Sequence, residues 1–402
     1  MKTQVFSGTA KGAAEIIRNG GLVAVPTETV YGLAGSGLNE QAVGMIYEVK
    51  GRPAIKPLSL MVHGSEAMDA LCLDVPEQAR TLAARFWPGP LTIVLKAKPE
   101  IPSIVLAGGS TVGLRCPDHP LTLELLRDCG LPLAAPSANP SGEESPKDAG
   151  KVLEYFDGKI DAVIDGGRCG LGRESTIIDL SKSPYRILRQ GALPAEDIAD
   201  ALVGGMKVIG ITGGTGCGKT TALQELEAMG ALVLYCDAIY HELLESSAEL
   251  LGEIEKRFPD TVQDGKLNRK ALGAVVFADS AALSDLNAIT HKYVGLELQR
   301  RLREFAMTGG TLAAIDAIEL FSSGINGRCF KTVAVISNKE NRVKRIMARD
   351  GITREYALLR IAAQHDDGYY AERCDYTLYN NADMDSFRND CRQLFKEMFS
   401  NG

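Results

Sequence analysis

The chain has 402 residues, and at roughly 150 residues per domain this length indicates two or three domains. Hydrophobic residues make up 45% of the sequence and charged residues 24%, a composition that excludes a disordered chain. The formal net charge of −7 argues against a protein that binds DNA or RNA through a large basic surface.

Signals for membranes or secretion are not found in the sequence. No apolar run approaches the roughly 18 residues needed to span a bilayer, and residues 1–20 contain no signal-peptide core. The nine cysteines show no C-x-x-C or Cys/His zinc spacing, which indicates reduced thiols. We therefore expect a cytoplasmic protein that contacts no membrane and binds no DNA directly.

The first half alternates short strands with helices, which predicts an α/β domain with a mixed, twisted sheet. The predicted strands are Leu22–Pro26, Leu58–Val62, Leu91–Lys96, Thr111–Cys116, Leu131–Ala135, Ala162–Ile164, Ser175–Leu180 and Tyr185–Leu188. The predicted helices are Ala10–Arg18, Glu40–Lys50, Glu77–Phe86, Leu121–Asp128, Lys147–Tyr155 and Ala195–Leu202.

An internal boundary is predicted at Ala201–Lys207. Two glycines follow an acidic helix pattern there, and Met206 and Lys207 open a new strand. A methionine before a strand and a glycine-rich turn looks like the start of a once-separate protein. We predict one domain over residues 1–205 and a second over residues 206–402, neither of them basic.

The second half shows apolar strands separated by helical crossovers, which predicts a doubly wound parallel sheet. The predicted strands are Val208–Thr212, Leu232–Tyr235, Thr311–Asp316 and Thr332–Ile336. The predicted helices are Lys219–Met229, Ala238–Arg257, Ala281–Phe305, Glu340–Arg349, Arg354–Gln364 and Met384–Phe399.

A glycine-rich loop follows the first strand of this half. Residues 213–220 read G-G-T-G-C-G-K-T and match the phosphate-loop pattern G-x-x-x-x-G-K-[ST] at every fixed position. Glycines let consecutive N–H groups converge on phosphate oxygens, and the following helix adds its positive end. Lys219 can then reach the β- and γ-phosphates of ATP, and the Thr220 hydroxyl suits Mg²⁺. The predicted ATP-binding residues are Gly214, Thr215, Gly216, Cys217, Gly218, Lys219, Thr220 and Thr221. The alternative, a glycine turn without a ligand, is disfavoured by the flanking strand and helix.

Asp237 comes at the end of the next strand, where α/β sheets place their ligand crevice. A carboxylate there can accept the proton of an attacking hydroxyl. The same residue could equally be the N-cap of the following helix.

Residues 206–402 resemble dephospho-coenzyme A kinase over nearly their whole length. The matching segments read I-T-G-G-T-G-C-G-K-T-T at 211–221, D-A-I-Y-H at 237–241, L-N-R-K-A-L-G-A-V-V-F at 267–277, L-N-A-I-T-H at 286–291, L-F-S-S-G at 320–324, R-I-M-A-R-D-G-I at 345–352, R-I-A-A-Q at 360–364 and D-Y-T-L-Y-N-N at 375–381. The resemblance implies transfer of the ATP γ-phosphate to the ribose 3′-hydroxyl of dephospho-coenzyme A. It implies that Lys219 and Asp237 are catalytic and that Arg345 or Arg349 serves a lid; solvated helix-face arginines are the alternative.

Four residues depart from that family's pattern on the acceptor side. Tyr235 stands where an aspartate is usual, Ile318 where a proline is usual and Ser322 where a glutamate is usual. Lys292 replaces a proline. These changes leave the ATP loop intact and place the acceptor preference in question.

Three polar clusters of the first half follow predicted strands or end a helix. They read P-T-E-T-V-Y-G-L at 26–33, K-G-R-P at 50–53 with Lys56 close behind, and P-S-A-N-P-S-G at 136–142. Polar side chains at strand ends are costly if merely buried and favourable if they converge on a small ligand. Taken singly, the second cluster could be a helix dipole partner and the third an ordinary proline-rich turn.

Residues 7–195 resemble the YrdC-like threonylcarbamoyl-adenylate synthases almost continuously. Further matching segments read W-P-G-P-L-T at 87–92, V-G-L-R-C-P-D-H-P at 112–120, A-A-P-S-A-N-P-S-G at 134–142, D-G-G at 165–167, G-R-E-S-T-I-I-D-L at 172–180 and I-L-R-Q-G at 187–191. The resemblance implies that L-threonine, bicarbonate and ATP combine to give threonylcarbamoyl-AMP and pyrophosphate, with Mg²⁺ as cofactor. The product would pass to a tRNA-modifying transferase complex.

The resemblance also implies the roles of individual residues. The expected threonine-binding residues are Thr29, Arg115, Ala135 and Ser175, with Arg115 pairing with the carboxylate. The expected nucleotide-binding residues are Lys50, Arg52, Lys56, Thr111, Ser137, Asn139, Ser145 and Arg189. Lys50 and Arg52 are expected to be catalytic because cations stabilise the leaving pyrophosphate. The histidine often found in the threonine site of this family has no counterpart, since Met61 falls near its place and His63 lies two residues on.

Three rival interpretations remain. The first half could only bind RNA, the second half could phosphorylate another small alcohol or nucleotide, or one half could be an inactive scaffold.

Overall fold

The structure is a computed structural model that describes residues 2–400. The chain forms two compact units. One contains the residues up to Gly205 together with Met307–Gly309, and the other contains Met206–Ala306 and the residues from Gly310 onward. Within the described residues, no helix combines the length and the apolar character that a membrane span requires. The nine cysteines, all of them described, are unpaired.

The first unit is built on a mixed sheet. Its strands are β1 Gln4–Ser7, β2 Val23–Val25, β3 Gly32–Ser36, β4 Ser59–Met61, β5 Cys72–Leu73, β6 Leu91–Ala97, β7 Thr111–Arg115, β8 Leu133–Ala134, β9 Ala162–Asp165, β10 Thr176–Asp179 and β11 Arg186–Arg189. They pair in the order β1-β9-β2-β3-β8-β4-β7-β6-β10-β11, with β5 beside β6. The sheet contains parallel pairs, such as β4 with β7, and antiparallel pairs, such as β6 with β7. The predicted mixed sheet is confirmed.

The helices of the first unit are α1 Ala13–Arg18, α2 Glu40–Lys50, α3 Ala67–Leu71, α4 Glu77–Phe86, α5 Ser103–Leu106, α6 Pro120–Cys129, α7 Ala149–Phe156 and α8 Ala195–Gly204. Helix α2 shows how the sequence sets its own limits. The Asn39 side chain accepts from the N–H groups of Gln41 and Ala42 and begins the helix. Gly51, in the left-handed conformation, ends it beside Arg52.

Some elements of the first unit differ from the predicted ones. Strands β1, β3 and β5 are additional, and β3 was hidden because its sequence G-L-A-G-S has little strand propensity. A Cβ on Gly35 would lie 2.9 Å from Leu22, so β3 needs its small residues for close packing. Helix α7 begins at Ala149 rather than Lys147 because the Asp148 carboxylate caps it, 2.9 Å from the Lys151 N–H.

The second unit has a parallel five-stranded sheet. The chain contributes β12 Lys207–Thr212, β13 Leu232–Tyr235, β16 Leu312–Asp316, β17 Lys331–Ile336 and β18 Tyr376–Tyr379, in the order β13-β16-β12-β17-β18. A small hairpin, β14 Val262–Gln263 and β15 Lys266–Leu267, stands apart. The predicted doubly wound sheet is confirmed, and β18 adds a strand to it. The carboxyl ends of β12, β13 and β16 meet at one edge, where a ligand crevice is expected.

The helices of this unit are α9 Lys219–Ala228, α10 Cys236–Ser246, α11 Ala248–Arg257, α12 Arg269–Val276, α13 Ser280–Met307, α14 Lys339–Asp350, α15 Arg354–Ala362, α16 Asp367–Arg373 and α17 Met384–Ser400, with a 3-10 turn at Ile325–Arg328. The predicted helix Ala238–Arg257 is two helices. Ser247 separates them because its hydroxyl caps α11 at the Leu250 N–H. Helices α12 and α16 were not predicted.

Candidate active sites

A polar cavity in the first unit gathers residues from segments that are far apart in sequence. It lies among the turn before β3, the residues after α2, and the ends of β4, β7, β8 and β10. The lining consists of Val30, Tyr31, Gly32, Arg52, Pro57, Leu58, Ser59, Met61, Thr92, Arg115, Ala135, Pro136, Ser137, Glu174, Ser175, Ile177 and Arg189. Six of these are predicted site residues: Arg52, Arg115, Ala135, Ser137, Ser175 and Arg189.

Three of the lining residues are arginines, and they make the cavity a place for an anion. Burial lowers the pKa of Arg189, and the nearby Arg115 and Arg52 lower it further while Glu174 opposes them. Burial also lowers the pKa of Arg52. Since arginine remains charged even so, three guanidinium groups and one carboxylate, that of Glu174, line this cavity and leave it a positive excess. A ligand with several negative oxygens would relieve the repulsion.

Hydrogen bonds to three residues hold the Arg115 side chain in place. Its Nη2 donates to the Glu28 carboxylate at 2.7 Å and to the Thr29 hydroxyl at 2.8 Å, and its Nε donates to the Gly89 carbonyl at 3.2 Å. Thr29 is fully buried, and its hydroxyl lies 2.8 Å from that of Thr27. The cluster at 26–33 therefore fixes the direction of one guanidinium group.

Arg189 and Ser175 form a second fixed pair. Arg189 donates to the Ser175 carbonyl at 2.9 Å and to its hydroxyl at 3.1 Å. The Ser175 hydroxyl also lies 2.8 Å from that of Thr92. Ala135, directly after β8, adds a small apolar surface to the same cavity.

Lys50, predicted together with Arg52 as a site residue, does not line the cavity that Arg52 lines. It is 3% exposed, and its ammonium donates to the backbone carbonyls of Ser137 and Asn139. Burial lowers its pKa to about 7, and Arg52 adds to that effect. The structure thus places Lys50 against the 137–139 turn and outside the cavity lining.

Four further predicted nucleotide residues also lie outside the lining. Lys56 is exposed, and Thr111 lies at the opposite end of β7 from Arg115. The Asn139 amide donates to the carbonyls of Pro140 and Glu143, which folds its own turn. Ser145 donates to the lining residue Glu174 at 2.8 Å.

The sequence reasoning missed Glu174, Ser59 and Thr92 as lining residues. Glu174 directly precedes Ser175 in the segment 172–180, which resembles the synthase family. A charged residue next to a predicted site residue was therefore the available signal for Glu174. The carboxyl is partly buried, but the Ser145 hydroxyl and the nearby arginines keep its pKa below the usual value. Met61 lines the cavity, whereas His63 lines a separate groove.

In the second unit, the predicted phosphate loop connects β12 to α9. Gly213 has φ 134°, and a Cβ there would lie 2.2 Å from the Val335 carbonyl oxygen. Gly218 has φ 105°, and a Cβ there would lie 2.0 Å from the Asn380 side chain. Both positions therefore require glycine for conformation and for space.

Side chains from α14 and from the segment after α15 hold the outside of this loop. Arg342, 4% exposed, donates to the Thr215 carbonyl at 3.0 Å, and the Gln364 side-chain oxygen accepts from the Thr215 N–H at 2.7 Å. Arg345 donates to the Gly216 carbonyl at 3.3 Å and to the Ser337 hydroxyl at 3.1 Å. The loop is consequently preformed.

Eight of the eleven predicted residues of the second unit meet in one cleft, which we call the nucleotide cleft. Its lining consists of Thr215, Gly216, Gly218, Lys219, Thr220, Asp237, Asp316, Ile318, Arg345 and Arg349. The Lys219 ammonium donates to the Gly213 carbonyl at 3.0 Å, and Thr220 is exposed. Arg349 lies 3.4 Å from the Thr215 hydroxyl and pairs with Asp350. Gly214, Cys217 and Thr221 lie outside the lining, and Cys217 and Thr221 are buried.

Asp237 is the second residue of α10, and the alternative that it caps this helix is wrong. Tyr235 occupies the N-cap position, and no side chain caps the helix. Asp237 therefore stays available to the nucleotide cleft.

Asp316, the last residue of β16, faces the same cleft and was missed by the sequence reasoning. Burial raises its pKa, Lys219 opposes the shift and Asp237 adds to it. Its Oδ1 atom is buried and has no hydrogen-bond partner within the described part of the chain. The signal was present in the sequence, since an acidic residue ending an apolar strand next to the loop strand points into the crevice.

A second cavity, which we call the acceptor cavity, adjoins the nucleotide cleft. It is lined by Cys236, Asp237, Tyr240, Leu286, Asn287, Thr290, His291, Val294, Ala317, Ile318, Glu319, Ser323 and Ile325. Of the four departures from the family pattern, Ile318 lines both cavities. Lys292 pairs with Glu253 on the surface, Ser322 bonds to Glu319, and Tyr235 is exposed.

These sites define two classes of protein in one chain. The first unit presents an arginine-lined anion cavity, and the second is a phosphate-loop nucleotide-binding unit with a carboxylate opposite its lysine. Comparisons with known families agree. Residues 15–191 match the Sua5/YciO/YrdC model, described as telomere recombination, and residues 207–386 match the model described as dephospho-CoA kinase. The chain belongs to the Sua5/YciO/YrdC family in its first part and to the dephospho-CoA kinase family in its second.

Named relatives match each part separately. The threonylcarbamoyl-AMP synthase of Pyrococcus abyssi is 47% identical over 196 residues, which is 49% of this chain and 57% of the relative. A putative threonylcarbamoyl-AMP synthase of Methanocaldococcus jannaschii is 38% identical over 183 residues, which is 46% of this chain and 86% of the relative. The dephospho-CoA kinase of Geobacter sulfurreducens is 33% identical over 196 residues, which is 48% of this chain and 100% of the relative. The chain thus spans little more than half of the longer synthase.

Proposed function

We propose that the chain is a bifunctional enzyme, with a threonylcarbamoyl-AMP synthase in residues 1–205 and a dephospho-coenzyme A kinase in residues 206–402. The names of the relatives support both activities. The observation that carries the proposal is the presence of two different anion sites, an arginine-lined cavity and a phosphate loop. The enzyme would act in the cytoplasm.

The first activity joins L-threonine, bicarbonate and ATP. The amino group of threonine and bicarbonate condense to a carbamate with loss of water. A carbamate oxygen then attacks the α-phosphorus of ATP, the bond between that phosphorus and the α,β-bridging oxygen breaks, and its electron pair leaves with pyrophosphate. Arg115 binds the threonine carboxylate, and Thr29, Ala135 and Ser175 complete that end of the cavity. Arg52 and Arg189 stabilise the charge that develops on pyrophosphate.

Lys50 contributes to this site through the 137–139 turn, because its ammonium already binds two carbonyls of that turn. The turn presents Ser137 to the cavity, and Asn139 supports it. Lys56, Thr111 and Ser145 extend the nucleotide side. The threonylcarbamoyl-AMP would then pass to a tRNA-modifying transferase complex.

The second activity transfers the γ-phosphoryl group of ATP to the 3′-hydroxyl of dephospho-coenzyme A. Asp237 accepts the hydroxyl proton, since it lines both the nucleotide cleft and the acceptor cavity. Lys219 binds the β- and γ-phosphates, and the loop amides bind phosphate oxygens that Arg345 and Arg349 approach from α14.

The residues of the nucleotide cleft suit Mg²⁺. The Thr220 hydroxyl is exposed at the loop, and the unpartnered Asp316 oxygen lies in the same cleft. Oxygen donors of this kind bind Mg²⁺ together with substrate phosphates. When bound, Mg²⁺ would neutralise phosphate charge.

The test is an analysis of nucleotide products with each acceptor added separately. Threonine and bicarbonate should yield pyrophosphate and an adenylyl adduct, and dephospho-coenzyme A should yield ADP. RNA binding without pyrophosphate release would favour the RNA-binding interpretation of the first unit. ADP formation with other alcohols or nucleotides in preference to dephospho-coenzyme A would contradict the proposed acceptor.

A further inference from the structure

The nucleotide cleft and the acceptor cavity meet at two shared residues. Among the described residues, Asp237 and Ile318 are the members common to both linings. One is a carboxylate and the other is apolar. These two residues therefore lie where the two cavities adjoin.

The position of Ile318 is fixed by the strand that leads into the phosphate loop. The Ala317 N–H donates to the Ile211 carbonyl at 3.1 Å, and the buried Thr212 hydroxyl donates to the Ile318 carbonyl at 3.1 Å. These bonds hold the backbone on both sides of the Ile318 Cα. The side chain is itself stiff, because branching at Cβ restricts its rotation.

The chemistry of Asp237 makes the neighbouring residue, Ile318, important for the choice between water and the acceptor hydroxyl. A carboxylate that accepts a proton from an acceptor hydroxyl can accept one from water equally well. In both reactions the entering oxygen bonds to the γ-phosphorus, the bond to the β,γ-bridging oxygen breaks, and the electron pair leaves with ADP. Water gives inorganic phosphate, and the alcohol gives a phosphate ester.

We propose that Ile318 determines the specificity of phosphoryl transfer by excluding water from the junction beside Asp237. This inference rests on the proposed kinase function. The apolar side chain of Ile318 offers water no hydrogen bond. A water molecule beside it would therefore lose part of its hydration. The acceptor hydroxyl is delivered instead by its binding in the acceptor cavity.

The test compares Ile318→Thr with Ile318→Val, two side chains of similar shape that differ by one hydroxyl. ADP and phosphorylated acceptor are measured with dephospho-coenzyme A and without any acceptor. We expect Ile318→Thr to form ADP without acceptor about tenfold faster than Ile318→Val, a factor that corresponds to ~1.4 kcal/mol in the barrier. The number of acceptors phosphorylated per ADP should fall in the threonine variant.

Leu296→Ala is the control, because Leu296 is exposed on the same helix α13 as Val294 and lines neither cavity. It should leave acceptor-free hydrolysis unchanged, and a thermal melt of each variant identifies any loss of fold. Equal hydrolysis by the threonine and valine variants, or an equal rise in Leu296→Ala, would overturn the inference. If the native enzyme phosphorylates no dephospho-coenzyme A, the proposed acceptor is wrong, and the hydrolysis comparison still decides the role of Ile318.

Discussion

The two candidate sites collect their anion-binding groups in different ways. In the first unit, Arg52, Arg115 and Arg189 come from three distant segments and meet only in the folded sheet. In the second unit, the contiguous residues 213–220 form the loop, and five of these eight residues line the nucleotide cleft. Single substitutions can remove the anion-binding groups of the first site one at a time. The second site depends instead on the glycines of its loop and on the side chains that hold the loop in place.

The largest effect is expected from Lys219→Ala. ADP formation with dephospho-coenzyme A should fall about 1000-fold because the γ-phosphoryl group loses the cation that stabilises its transition state. Threonine-dependent pyrophosphate release should not change. Lys344→Ala, on the same unit but outside the nucleotide cleft, is the control. A parallel loss of both activities in Lys219→Ala would mean that the two sites are not independent.

The converse experiment is Arg115→Gln. Pyrophosphate release should fall about 100-fold, mainly through a higher KM for threonine, because the carboxylate loses its charged partner. Arg115 and Glu28 form an ion pair whose side chains are only 9% and 14% exposed. The substitution would leave the Glu28 carboxylate largely buried without this partner. A lower melting temperature is therefore expected alongside. Unchanged KM for threonine, or a loss of ADP formation, would contradict the assignment.

The smallest effect concerns Lys50, and it appears in the pH dependence of stability. The folded protein releases the Lys50 proton near pH 7, whereas an unfolded lysine holds it to about pH 10.4. The unfolded state therefore binds more protons between these values, and Lys50 contributes increasing stability as pH rises through this window. The melting temperature of the native protein, relative to Lys50→Met, should rise from pH 7 to pH 9. A difference that is flat or falls with pH would contradict a buried lysine with a lowered pKa.

The contrast between the sites also explains what could be predicted from the sequence. The fold class of both units follows from apolar strands alternating with helices, and the phosphate loop is contiguous. Asp237 was found because it follows a predicted strand, and Asp316 was missed although the same rule applies to it.

The residues of the first site were predicted through the family resemblance rather than from local sequence patterns, and the reason is physical. Arg52 and Arg189 are remote in sequence, and nothing local shows that they share a cavity. Whether Lys50 points into the cavity or onto the 137–139 turn depends on the path of that turn, which the sequence does not specify. The strand β3 was hidden because close packing, rather than intrinsic propensity, selects its small residues.

The central claim is that one chain holds two separate ATP sites, and the most direct test is the stoichiometry of nucleotide binding. Equilibrium binding of a non-hydrolysable ATP analogue with Mg²⁺ should give two molecules bound per native chain and one per Lys219→Ala chain. One molecule bound per native chain, lost entirely in Lys219→Ala, would contradict the account.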